Sequence, residues 1–227
     1  MRIWLNDNAR KDYVGRSRPN PQLFGEWIGR GVWYRDRKTL DVNRGMEKLD
    51  RLVVSHQLHG KPIGIDIENQ PVRELVEVAD AIAQRWPYLR YGFFARTRPK
   101  PSPTNDEWAE LEPYVALTWS QGLQNRESLE AWTVSIVDQA EAWAKHFPGQ
   151  TRALFLRPTP HPVAIRRGWF PPGILGMDTW RRMLSIAAKH YDLGIVASGG
   201  QQWDANSEWY RALSEIDNKL EASETEF

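Results

Sequence analysis

The 227-residue sequence contains no cysteine, which excludes disulfide bridges, thiolate metal sites and a cysteine nucleophile. It also lacks an excess of charge of either sign. Thirty Lys and Arg against 29 Asp and Glu leave a formal charge of +1, without the basic footprint that holds nucleic acid or an anionic membrane. No uninterrupted apolar run approaches the roughly 18 residues that suggest a membrane-spanning helix. The opening MRIWLNDNARKDY carries charges where a secretory signal needs its apolar stretch. A soluble protein without a classical leader is expected, with neither nucleic acid nor membrane as partner. Its compartment stays open, since a chain without disulfides can work anywhere.

Other absences narrow the chemistry. His56 and His59 are three residues apart at a helix end without a third ligand nearby, and His146, His161 and His190 show no metal spacing, so no metal is expected. No G-x-S-x-G nucleophile elbow occurs, and no glycine-rich phosphate loop follows an early strand. No cofactor is implied.

What is present is a globular composition, 41% hydrophobic and 26% charged, enough to bury a core and too apolar for disorder. No internal repeat or linker interrupts it, so residues 1–227 are read as one domain. Twelve tryptophans are many for this length; indoles fill cores and also stack on sugar rings. Short apolar runs predict strands at Arg2–Leu5, Val32–Arg35, Ile63–Glu68, Leu89–Ala95, Tyr114–Trp119, Arg152–Arg157 and Leu193–Ser198. Segments of helical period lie between them, at Val42–Leu58, Pro71–Trp86, Asn105–Leu111, Leu129–His146, Thr179–His190 and Ser207–Leu220. Asp41, Thr104, Ser128 and Asp178 are suited to cap helix starts. Residues 6–31, rich in Arg, Pro and Gly, read as an irregular loop or crossover. This βα rhythm predicts an α/β fold, a compact TIM-like (β/α) barrel with seven or eight parallel strands; a doubly wound sheet is the runner-up.

The most informative segment is KPIGIDIENQP, Lys61–Pro71. Alternation along a strand places Gly64, Asp66 and Glu68 on one face and Ile63, Ile65 and Ile67 on the other, which is expected to pack under helices. In a barrel the carboxylates then point inward at the carboxyl-terminal mouth. Two carboxylates about 6 to 7 Å apart along a strand do not both stay ionised in a desolvated pocket, so one is expected to hold its proton and act as an acid. The alternative is that Asp66 and Glu68 pair with arginines such as Arg96 or Arg157 in a polar layer.

Further along come LRYGFFARTRP, EPYVALTWSQG, RALFLRPTPHP and YDLGIVASGGQQWD. The order of these motifs after the carboxylate strand, over roughly Lys61–Asp204, resembles the hyaluronidase family of glycoside hydrolases. The resemblance implies a barrel with Glu68 as general acid and Asp66 orienting a substrate acetamido group whose carbonyl oxygen is the nucleophile. It also implies a catalytic tyrosine near Tyr91. The chain departs from the family at Ala197 and Ser198, where an aromatic is usual, and at VALTWS, which lacks a second tyrosine; the family's disulfides are absent too.

Trp119 and Trp203, at or just after strand ends, are candidate sugar platforms, or else cap the core. Arg157 and Gln202 are candidates for binding glycan hydroxyl or carboxylate groups. The expected function is hydrolysis of a polysaccharide containing N-acetylhexosamine, the polysaccharide being the only implied partner. The alternatives are a non-catalytic carbohydrate-binding or structural barrel, and a lyase or transferase using the same carboxylates. The short cysteine-free form is compatible with a phage or viral protein that degrades cell wall or capsule.

Overall fold

Ile3 and Leu5 are buried while Arg2 is exposed and Trp4 half-buried, the period-two pattern of a strand with one face more deeply covered. This strand, β1 (Arg2–Asn6), lies at the centre of the sheet in a computed structural model that describes residues 1–16, 24–28, 30–36, 39–56, 62–65, 67, 72–93, 129–146, 152–160 and 165–217. The chain continues through α1 (Asp7–Lys11), β2 (Phe24–Ile28), α2 (Arg30–Trp33), α3 (Val42–His56), β3 (Pro62–Ile65), α4 (Val72–Arg85) and β4 (Arg90–Phe93). After residue 128 follow α5 (Leu129–His146), β5 (Ala153–Leu156), α6 (Met177–His190), β6 (Leu193–Val196) and α7 (Glu208–Ser214).

All strand pairs are parallel and the spatial order is β4-β3-β2-β1-β6-β5. The steps β1 to β2, β2 to β3, β3 to β4 and β5 to β6 all run the same way across the sheet. Right-handed crossovers then put the connecting helices on one face.

The core agrees. Ile3, Leu5, Leu154, Leu156 and Val196 join Trp132 and Ile136 of α5, Trp180 and Met183 of α6, and Trp209 of α7 in one buried cluster. A second cluster gathers Ile63, Ile65, Ile67 and Tyr91 with Leu49 of α3 and Val78 and Ile82 of α4. Each such side chain taken from water contributes about 1.5 to 3 kcal/mol. The burial of the three isoleucines among helix residues is what the alternation in IGIDI predicts.

The closed barrel is corrected by the strand pairing. Among the described residues there are six strands, not seven or eight, and they form an open sheet with β4 and β5 at its edges; no pairing joins those edges. Alternating βα segments specify parallel neighbours, but closure is a separate property of edge pairing, strand tilt and stagger that no local pattern encodes.

Two local readings also change. The stretch expected as a strand at Val32–Arg35 is instead the end of α2 followed by a single bridge, Tyr34 to Leu40, with Trp33 and Tyr34 buried in the second cluster. The segment 6–31, expected to be irregular, holds α1 and β2. Short apolar runs do not distinguish a buried helix from a strand.

Asp41 caps α3 as expected: the Arg44 N–H donates to its Oδ1 at 3.1 Å and Arg35 donates to its Oδ2. Those bonds, the backbone one first, hold its carboxyl below the ordinary range. Asp178 is not a cap. It lies in the first turn of α6, whose N-cap is Gly176, and there its charge faces the positive end of the helix. The strand expected at Tyr114–Trp119, the helix at Asn105–Leu111 and the caps Thr104 and Ser128 lie outside the described residues.

Candidate functional site

In parallel α/β proteins side chains at the carboxyl ends of strands are those free to meet a ligand. Here β1, β6 and β5 end side by side, with Leu5, Val196 and Leu156 in register. These three belong to the helix-side cluster, so alternation turns the next row, Asn6, Ala197 and Arg157, to the opposite face. Asn6 and Ala197 are buried there.

The chain around this row is folded back by backbone bonds. After α1, the Trp203 N–H donates to the Asp12 carbonyl at 3.1 Å and the Val14 N–H to the Trp203 carbonyl at 2.9 Å. Asp12 is thereby fixed beside the end of β6, and its carboxylate accepts a short hydrogen bond from the hydroxyl of fully buried Ser198. Ser198 Oγ in turn accepts a long bond from the Gly200 N–H at 3.4 Å.

The turn that follows requires glycine. Gly199 and Gly200 have φ of +76° and +82°. A Cβ on Gly199 would also stand 2.0 Å from Oγ1 of Thr159, which is buried just beyond β5. The two strand ends are therefore closely apposed.

Arg157 stands in this setting with its Nε buried and no acceptor for it among the described residues. Burial pushes its guanidinium below the usual range, and the Asp12 charge opposes that fall. The arrangement is a half-buried cation, its Nε out of contact with solvent, with a carboxylate nearby that is already engaged by a hydroxyl. It offers hydrogen-bond donors to an anionic or strongly polar group.

The other expected site residues fall in different places. Tyr91 sits in the helix-side core in register with Ile63, and its hydroxyl donates to the Ala79 carbonyl of α4 at 3.2 Å. Burial, and secondarily Asp80, pushes its phenol up to about 12. This placement corrects the reading of Tyr91 as a catalytic group on the strand-end face.

Trp203 is corrected likewise. It is 2% exposed, edge-on to Tyr13 and Trp209, tilted against Tyr210, and its Nε1–H donates to the Ala9 carbonyl at 2.5 Å. No face of the indole is free for a sugar. Gln202, one residue before it, is exposed. Asp66, Glu68 and Trp119 lie outside the described residues.

Asp12, Asn6 and Thr159 are the members that sequence reading missed. Asp12 is hidden in a charge-rich stretch, NDNARKDY, that has the look of a solvated loop. A usable signal was the paired glycine after an apolar strand in GIVASGG, which marks a close backbone approach.

Among the described residues no group of three or more His, Asp or Glu is placed to hold a metal ion, and no helix is long and apolar enough to cross a membrane. The chain matches no known protein family's sequence profile, and no curated protein is significantly similar to it.

Proposed function

We propose that the protein is a glycoside hydrolase acting on a polysaccharide that contains N-acetylhexosamine, with Glu68 as general acid and Asp66 orienting the acetamido group. The observation that carries this reading is the position of Asp66 and Glu68 in the chain, directly after β3, whose isoleucines are all committed to the helix-side core. The polar strand ends of β1, β5 and β6 support it, since a sugar needs hydrogen-bonding groups beside the reacting bond. The scheme is a substrate-assisted variant of two-carboxylate hydrolysis.

A second reading, a carbohydrate-binding protein without turnover, is favoured by the burial of Tyr91 in the helix-side core, which takes one implied catalytic group out of reach of a substrate. One experiment separates the two. Purified protein is offered chitin, peptidoglycan, hyaluronan and capsule oligosaccharides, with reducing ends measured for the wild type and Glu68→Gln. Hydrolysis that falls by about two to four decades in the variant, with binding retained, is the expected result. Full activity in a folded Glu68→Gln protein removes the proposed mechanism; binding without release from any glycan selects the second reading.

A further inference from the structure

A guanidinium is the most costly of side chains to leave without an acceptor, because it keeps its charge at any ordinary pH. One nitrogen of such a group, Nε of Arg157, is buried without a hydrogen-bond acceptor among the described residues. Asp12 is close enough to act on it electrostatically, yet its carboxylate is held by the Ser198 hydroxyl.

The surrounding sequence is one-sided in charge. Between Glu141 and Asp178 there is no acidic residue, while Lys145, Arg152, Arg157, Arg166 and Arg167 are all basic, in a chain otherwise balanced. Arg152 is paired with Asp192 at the opposite end of β5. Arg166 and Arg167 are exposed on the segment that leaves the carboxyl end of β5, whose base is tied by the Leu175 N–H donating to the Pro158 carbonyl at 2.7 Å. Arg167 lies over the Trp169 ring, 4.8 Å from its centroid, and both arginines add positive charge to the stretch that follows Arg157 in the chain.

We propose that the carboxyl edge of β1, β5 and β6 is an oxyanion-binding site in which Arg157 receives a carboxylate or phosphate group of a ligand. Arg157 supplies a planar fork suited to two oxygens, and Asp12, held by Ser198, sets the affinity by partial neutralisation. The proposal is argued from Arg157, Asp12 and Ser198 and stands whether or not the protein cleaves glycans.

The test follows the Nε–H of Arg157 directly. In nitrogen-15 spectra of the full chain, the arginine Nε–H signal missing from Arg157→Lys is assigned, then titrated with inorganic phosphate and separately with acetate. A saturable downfield shift with at least one anion is expected, with affinity lowered about tenfold or more in Arg157→Lys by calorimetry. Asp12→Asn keeps an acceptor for Ser198 and removes the opposing charge, so it is expected to bind the anion several-fold more tightly, which a merely structural role of Asp12 would not produce. Phosphate alone identifies a phosphorylated ligand and comparable acetate binding a carboxylate one. No saturable shift with either anion into the millimolar range, or equal affinity in folded Arg157→Lys, overturns the proposal.

Discussion

Gly199 and Gly200 differ by one residue and by one physical constraint. Both adopt left-handed backbone, but only Gly199 is also closed in, with Thr159 Oγ1 where a Cβ would stand; nothing lies within 4 Å of that point at Gly200. Gly200→Ala is therefore expected to cost only the backbone term, about 1 kcal/mol, and Gly199→Ala about 2 to 3 kcal/mol. Urea midpoints of the two variants measure this, and equal losses would show that the approach of Thr159 carries no energy.

Asp192 provides the acid-dependent case. Burial pushes its carboxyl up, but bonds from the Arg152 side chain and from the Arg152 backbone N–H at 2.9 Å outweigh this, and the net effect is a lowered value. A carboxyl lowered on folding stabilises above its unfolded value of about 3.9, and the stabilisation fades as pH falls through the folded value. Asp192 is about half exposed, so Asp192→Asn is expected to lose only about 1 kcal/mol at neutral pH. That difference from the wild type should vanish in acid, where both proteins carry a neutral side chain. A difference independent of pH would assign the effect to packing.

Local elements were legible where one period dominates. Leu129–His146 is a helix with the bounds its sequence predicts, because 18 residues of sustained helical pattern leave no competing reading. β3 was legible through its isoleucines, and Ile65→Ala, at a fully buried position, is expected to cost about 2 to 4 kcal/mol in chemical denaturation. A loss below about 1 kcal/mol would mean that the site collapses on the missing atoms.

β2 was not legible. FGEWI is five residues flanked by glycine and proline, and its partners are β1 and β3, which are distant in sequence. The candidate site was hidden for the same reason: Asp12, Arg157 and Ser198 come together only through β1–β6 and β5–β6 pairing, which no single segment contains. Arg157 was recognisable as a strand-end polar residue, whereas the burial of Trp203 depends on Tyr13, 190 positions earlier in the chain, and on Tyr210.

At the scale of the molecule, two helix-side clusters share one sheet, and β1 is the strand between them. It pairs with β6 over four registered residues, Arg2 to Leu5, and with β2 over two, Leu5 and Asn6. Ile136 lies in the first cluster and Ile82 in the second, with no shared partner, so Ile136→Ala and Ile82→Ala should each cost about 2 to 4 kcal/mol and add to within about 0.5 kcal/mol. Separate clusters need not mean separate unfolding. Loss of the second would leave β1 unpaired along one edge in the middle of a parallel sheet, with buried Asn6 at its end, and parallel strands are stable only when covered and paired. Both single variants are therefore expected to shift one common urea transition, followed by tryptophan fluorescence and by backbone circular dichroism with coincident midpoints. Two transitions, each moved by only one of the substitutions, would instead show that the seam between β1 and β2 is too short to couple the halves.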